Sequence, residues 1–512
     1  MKKTGWLACV FSAAVFAAVI LPTVPRGPVL GTGQDEWHNM ARGLRALHEA
    51  FNPRYFVHPA LYYEALGAVY AAHRASLRLS TDAYLDRFLS REGELLGLAR
   101  GVSVFFGALS VAAAAWLAGM LAGPGAALIA GLLVAGLPLT GKYAVFIRVD
   151  SLALFCQLAA LCLLIRRMRS PSLGSLVLAA VGICIAAAAN YPGALTLGLL
   201  AFCEFRRERA WLKDMLLACG VSFGAFMLLN PYVLVDLPDF LRWFSFQGRM
   251  LFAAHPHAEP PGTWRYLSVL ARQGFFPAMA LGAGVTALVS KDKELRGLAQ
   301  YGTAYLALFA LSRTQYDRFV IPGLVALCCA GVAVMARGMA HWTRRRRGAV
   351  MALASALLAV FALSVRRHRP REGADIRGEL AAYVYGAMGP ADTLILESDA
   401  LPLLQTAFDP GGGEFEALLR KAVQKEYPAL PGRILKAQHI GGVYNYDPEL
   451  LEGGAYFLGS SINRSYMPGF YQAVDSKCRS VLSKASHDEE LTLFVCGRPK
   501  GSVSPRTRAR RG

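Results

Sequence analysis

Long apolar runs broken by short basic turns set the pattern of this chain. The first run covers residues 5–24, behind Met1-Lys2-Lys3. At about 20 residues it is long enough to cross a bilayer and exceeds the roughly 7–15 apolar residues of a signal-peptide core. It predicts an uncleaved first span that starts in the cytoplasm. Further runs predict spans at about 99–121 and 126–140, joined by Gly123-Pro124-Gly125. A fourth opens at Arg148-Val149-Asp150, after a loop at 141–150, and ends at Arg166-Arg167-Met168-Arg169. Two more flank Asn190-Tyr191-Pro192, the second ending at Arg206-Arg207-Glu208-Arg209, and a seventh runs to Leu229. After a long loop at 230–270, an eighth ends at Lys291-Asp292-Lys293 and a ninth leads to 313–318. A tenth ends before Arg344-Arg345-Arg346-Arg347, and an eleventh lies at about 348–365.

The stretch between the first two spans, 26–98, is mixed in character. Residues 55–79 are apolar on one side but carry His58, Glu64, His73 and Arg74, which predicts an amphipathic helix along the outer membrane surface. If this stretch crossed the bilayer, every later loop would change sides. As a surface helix, it leaves the basic clusters at 166, 206, 291 and 344 in the cytoplasm, where lysine and arginine concentrate; as a span, it puts all four outside. The expectation is eleven spans, N-terminus inside and C-terminus outside. Arg366-Arg367-His368-Arg369 then falls outside, which the charge rule does not predict.

Residues 371–497 are more polar. A helix is expected at 377–388, and short buried strands at Thr393-Leu394-Ile395-Leu396, Ala455-Tyr456-Phe457-Leu458 and Leu491-Thr492-Leu493-Phe494-Val495. The fold class expected is a polytopic α-helical membrane protein of about eleven transmembrane helices, residues 1–365, with a small C-terminal α/β extracytoplasmic domain at 371–497. A basic tail, 498–512, lacks the apolar content to fold.

Composition agrees with the pattern. Of 512 residues, 54% are hydrophobic and 17% charged, which excludes an ordinary soluble protein. The net charge of +19 would suggest nucleic acid in a soluble protein; here the basic residues fill cytoplasmic turns and face lipid headgroups, so no nucleic-acid partner is expected. Eight of the ten cysteines sit in apolar runs as small hydrophobes, and no spacing resembles a zinc site. Cys478 and Cys496 form the one pair in a polar region, and a disulfide there depends on strand pairing and an oxidising compartment.

With this topology the inner loops are short and basic, while carboxylates and cations gather on the outer rim. Asp35 and Glu36 follow the first span. A carboxylate there can take the proton of an attacking hydroxyl; Asp35 can equally cap a helix running to Ala50. Arg148 and Asp150 can form an interfacial pair or face the same cavity as Asp35. Arg318 can snorkel to the interface or hold a phosphate through its planar fork. His255-Pro256-His257 reads as a solvated loop more readily than as a metal site.

These residues, in this order and on this side, resemble the GT-C superfamily of membrane glycosyltransferases, and within it the bacterial branch of the dolichyl-phosphate-mannose–protein mannosyltransferase family, which includes the aminoarabinose lipid A transferases. Asp35-Glu36 is similar to the family's acidic pair in the first external loop. His58-Pro59-Ala60-Leu61-Tyr62-Tyr63 resembles its Pro-Pro-Leu-Tyr-Tyr stretch, and Arg148-Val149-Asp150 matches an acidic residue opening a span. Arg318-Phe319-Val320-Ile321-Pro322 resembles its Arg-Tyr-Leu-Leu-Pro segment, and Asn230-Pro231-Tyr232 with Asp236 is similar to a further stretch. The resemblance covers about residues 1–340. Ala60 stands where the family has a second proline, Phe319 where it has tyrosine, and His58 where some relatives have lysine.

The resemblance implies transfer of a hexosyl or pentosyl group from a polyprenyl-phosphate donor to a glycan, lipid or protein hydroxyl, in a bacterial inner membrane. Asp35 or Glu36 would be catalytic. Arg318, Tyr316, Lys142, Arg148, Asp150, His58 and Glu64 would bind substrate or phosphate. A divalent metal ion is optional. The alternative is a transporter or lipid flippase, but transporters place ionisable groups near the bilayer midplane, and here the span interiors are nearly free of charge.

Overall fold

The computed structural model describes residues 3–24, 34–48, 56–90, 92–205, 211–252, 264–312 and 316–338. Further on it describes 392–396, 433–436, 455–460, 468–486 and 489–497, with Asn52, residues 356–357, Tyr383, Leu451 and Arg464. The eleventh span, the helix at 377–388, the tail, the basic clusters at 206–209, 344–347 and 366–369, and His255 and His257 lie outside the described residues.

The chain runs through α1 (Lys3–Ile20), α2 (Gln34–His48), α3 (Leu61–Ser76), α4 (Thr81–Ser90), α5 (Glu92–Ala122), α6 (Pro124–Ala135) and α7 (Pro138–Ala144). It continues through α8 (Asp150–Arg169), α9 (Leu173–Ala189), α10 (Thr196–Phe205), α11 (Trp211–Leu229), α12 (Tyr232–Val235) and α13 (Leu237–Phe252). Then follow α14 (Trp264–Ala271), α15 (Phe275–Thr286), α16 (Lys293–Ala310) and α17 (Ile321–Gly338).

Among the described residues, five helical segments are long and apolar enough to cross a membrane: Thr4–Thr23, Gly93–Ala122, Asp150–Arg169, Trp211–Leu229 and Asp317–Gly338. α6 and α7 together make a sixth, bent by 63°, while Leu173–Ala189 and Phe275–Val289 are apolar but shorter. The bend corrects the continuous span expected at 126–140. Pro138 lacks an amide hydrogen and keeps Leu137 extended, at φ −66° and ψ 121°, so the first helix must stop and a second begin. Lys142 is therefore helical rather than in a loop.

α5 and α17 pack against each other at the centre of the bundle, with α1, α6 and α8 around α5, and α15 and α16 around α17. α15 and α17 touch backbone to backbone: a Cβ on Gly331 would strike the Ala280 carbonyl, and one on Gly284 the Leu327 carbonyl. The basic ends are more than lipid anchors. Arg167 is buried and donates to Glu204 (2.8 Å) and Asp214 (2.8 Å), tying α8 to α10 and α11. Arg337 donates to the Leu121 carbonyl at the end of α5 and to Asp292, whose carboxylate also caps α16.

Two further expectations change. The amphipathic helix is α3; it starts only at Leu61, past Pro59, and its apolar face is spent inside the protein. Tyr62, Tyr63, Leu66 and Tyr70 are fully buried in a cluster with Met40 and Leu44 of α2. The long loop at 230–270 is largely helical, as α12, α13 and α14.

Towards the C-terminus, β1 (Thr393–Leu396), β2 (Arg433–Lys436), β3 (Ala455–Ser460), β4 (Cys478–Ser486) and β5 (Glu489–Cys496) form one sheet in the order β2-β1-β3-β5-β4. β1 is parallel to both neighbours, whereas β5 is antiparallel to β3 and β4. Helix α18 (Pro468–Lys477) buries Phe470 and Tyr471 against Phe457 and Phe494. Register sets Cys478 opposite Cys496, and the two form a disulfide with Cα atoms 4.1 Å apart.

Candidate active site

Helix α2 begins at Gln34, so Asp35 and Glu36 both stand in its first turn, where the helix dipole favours acidic residues. The Asp35 side chain lies outside the described residues. Glu36 turns inward and is 2% exposed. Arg100 of α5, with no exposed surface, grips it twice: Nε donates to Oε1 at 2.9 Å and Nη2 to Oε2 at 2.6 Å. The Ile147 amide donates to the same Oε1 at 2.9 Å. Asn39, one turn along α2, donates from Nδ2 to the Ile147 carbonyl at 2.6 Å. One face of α2 thus holds Ile147 at both its N–H and its C=O. The next three residues are Arg148, Val149 and Asp150, the last of which opens α8.

Asp150 meets Arg318. Its Oδ1 is 3.8 Å from Arg318 Nε, and both side chains are half-buried. Arg318 lies in a short 3-10 turn, Asp317–Val320, ahead of α17, with its guanidinium 4.4 Å from the Tyr316 ring centre and 5.7 Å from that of Phe319. Lys142 Nζ lies 4.0 Å from Asp317 Oδ2, and Arg265 Nη2 lies 3.9 Å from Asp317 Oδ1. Lys142 and Arg148 flank the Tyr143 ring at 5.6 and 5.8 Å. Lys142, Arg148, Arg265 and Arg318 thus gather near Tyr143 with Asp150 and Asp317, a cluster of guanidinium and ammonium donors of the kind that binds an anion such as a phosphate.

His58 lies in the segment 56–60, which is held by a second set of contacts, and Glu64 follows it on α3. Tyr191 donates from its hydroxyl to the Phe56 carbonyl (2.9 Å), and Gln247 from Nε2 to the Val57 carbonyl (3.1 Å). The Ala60 amide donates to Asn230 Oδ1 (3.0 Å), and Asn52 Nδ2 to Asp236 Oδ2 (2.9 Å). Asn52 and residues 56–60 are thus stitched to Tyr191, Asn230, Asp236 and Gln247. Glu64 is half-buried on α3, and loss of hydration raises its carboxyl to about 7.

Sequence reasoning missed Arg100, Asn39, Arg265 and Gln247. Arg100 carried a signal: it is a lone arginine at the head of an apolar run, and a charge there needs a partner. The partner, 64 positions away, carried none. Among the described residues, no three His, Cys, Asp or Glu side chains converge as a metal ion requires.

No protein-family model matches the chain, and no curated protein matches it in sequence. Solved structures do. ArnT from Cupriavidus metallidurans bound to undecaprenyl phosphate superposes with a TM-score of 0.58 at 14% identity, over 96% of this chain and 98% of that one. The archaeal oligosaccharyltransferase AglB from Archaeoglobus fulgidus, in complex with an inhibitory peptide and a dolichol-phosphate, gives 0.51 at 11% identity, over 82% and 64%. The oligosaccharyltransferase from the same organism in complex with Zn and sulfate gives 0.52 at 12%, over 92% and 71%. At these identities the likeness is one of fold. The chain shares the fold of these solved structures, in line with the resemblance, and is a polytopic helical membrane protein.

Proposed function

We propose that this chain is a glycosyltransferase of the bacterial inner membrane. It moves a sugar from a polyprenyl-phosphate-linked donor to an acceptor hydroxyl on the outer face, with inversion. The observation that carries this is the cation cluster of Lys142, Arg148, Arg265 and Arg318, joined to the acidic start of α2 through Glu36, Ile147 and Asp150 on a GT-C fold. The lipid ligands of the neighbours support the donor class.

The acceptor oxygen attacks the anomeric carbon and its proton passes to the Asp35 carboxylate. The bond from that carbon to the phosphate oxygen breaks with its electron pair, which leaves polyprenyl phosphate. Arg318, with Lys142 and Arg148, stabilises the charge that grows on this leaving group. In this scheme Glu36, held by Arg100 and the Ile147 amide, is a positioning residue for Arg148 and Asp150 and not the proton acceptor. His58 and Glu64 bound the donor or acceptor from the side of residues 56–64. No metal step enters this sequence.

Eleven spans, with residues 1–365 in the membrane and 371–497 outside, fit this chemistry. The Cys478–Cys496 disulfide supports an oxidising outer compartment for the C-terminal unit.

The test is incubation of the purified chain with undecaprenyl-phosphate-linked hexose or pentose and membrane acceptors. Free undecaprenyl phosphate and a glycosylated acceptor are expected. Movement of intact donor between leaflets without its cleavage would establish the transporter instead. Mass spectrometry of surface glycans from cells lacking the chain then names the sugar and the acceptor.

A further inference from the structure

Helix α13 presents three stripes, each at helical spacing. Phe240, Trp243 and Gln247 face the protein: the Phe240 ring lies 5.9 Å from that of Phe56, Trp243 is buried with Phe56 and Val57, and Gln247 holds the Val57 carbonyl. Arg242, Ser245 and Arg249 form an exposed polar stripe, with Arg242 paired to Asp239 at 3.1 Å. Leu237, Leu241 and Phe244 form the third, apolar yet 41%, 52% and 49% exposed.

This third stripe does not stand alone. The exposed apolar surface of span α11 ends at Leu228 and resumes at Leu234 and Val235 of α12, immediately before α13. The band thus continues a surface that, on a membrane span, faces lipid. Arginines flank it, and the Tyr191 ring, 5.5 Å from Phe244, adds the amphipathic aromatic usual at a membrane–water interface.

We propose that α13 lies in the outer membrane interface, with Leu237, Leu241 and Phe244 seated on the acyl chains of an anionic bilayer and Arg242 and Arg249 at the depth of its phosphates. The bilayer then holds α13, and α13 holds the 56–60 segment through Gln247 and Phe240. The surface-helix role expected of residues 55–79 passes to α13, because α3 spends its apolar face on α2. A bilayer fits better than a second copy of the chain, because the flanking arginines complement lipid phosphate, whereas a second copy brings more cations.

The test places a benzophenone amino acid at Leu241, Phe244, Asp239 or Ser245 in the full chain. The protein is reconstituted in vesicles of phosphatidylcholine and labelled phosphatidylglycerol and irradiated. Several-fold more lipid should attach at Leu241 and Phe244 than at Asp239 and Ser245. Equal attachment at all four positions overturns the proposal, as does a cross-linked dimer in place of lipid at Leu241 and Phe244. For the coupling, Leu241→Glu with Phe244→Glu should raise amide exchange at 56–60; unchanged exchange there overturns it. Neither readout uses a sugar donor, so both stand apart from the transferase reading.

Discussion

Glu36 and Arg100 bind each other through two parallel hydrogen bonds, 2.9 and 2.6 Å, with neither side chain more than 2% exposed. Removing one partner of a buried pair strands the other charge, at a cost of about 3–5 kcal/mol. Glu36→Gln and Arg100→Met should each lower the thermal midpoint sharply in detergent. The double variant Glu36→Leu with Arg100→Met should regain much of that stability and still transfer poorly, since the Ile147 amide has lost its acceptor. A double variant with normal transfer would show that the pair has no positioning role.

Arg318 faces Asp150 from a half-buried position on the cation cluster. Loss of a group that stabilises leaving-group charge lowers turnover by about 10²–10³-fold. Arg318→Ala should show that loss with little change in thermal midpoint, and Arg318→Lys, which keeps the charge without the planar fork, should fall between. Equal loss in both stability and turnover would mark Arg318 as a packing residue.

How much of this could be read from sequence follows from distance along the chain. The Gly123-Pro124 turn, the start of α8 at Asp150 and the strand Thr393–Leu396 were legible because local chemistry sets them: a glycine at φ 86°, an acidic residue at a helix N-terminus, a bounded apolar run. That Asp150 and Arg318 come together was expected from sorting the loops by charge. The burial of Glu36 was not legible, because the partner that holds it, Arg100, lies 64 residues on. α13 carried a local signal, since its apolar residues share one side of the helix and Arg242, Ser245 and Arg249 the other, but it lay inside a stretch read as one long loop.

Glu64 gives a pH signature. Its carboxyl, near 4.5 when hydrated, is raised to about 7 by burial. The folded state therefore holds the proton more tightly than the unfolded state between these values, so this group's contribution to stability falls as pH rises from about 4.5 to about 7 and levels off above. Glu64→Gln should remove that slope and make the protein more stable than the wild type at pH 8, in thermal unfolding followed from pH 4 to pH 8. An unchanged slope would mean that Glu64 titrates normally.

Gly331 meets the Ala280 carbonyl with no room for a Cβ. Gly331→Ala must push α15 from α17, and overpacking of this kind costs about 1–3 kcal/mol. Gly338→Ala, on the same helix with open space around it, is the control and should leave the thermal midpoint unchanged.

The central claim is that Asp35 accepts the proton of an acceptor hydroxyl as the sugar leaves polyprenyl phosphate. Release of free undecaprenyl phosphate from an undecaprenyl-phosphate-linked sugar measures it directly, with wild-type chain and Asp35→Asn compared at equal folded concentration. The account predicts acceptor-dependent release by the wild type and none above background by Asp35→Asn, with the two proteins unfolding at the same temperature. Release by Asp35→Asn at the wild-type rate would contradict it.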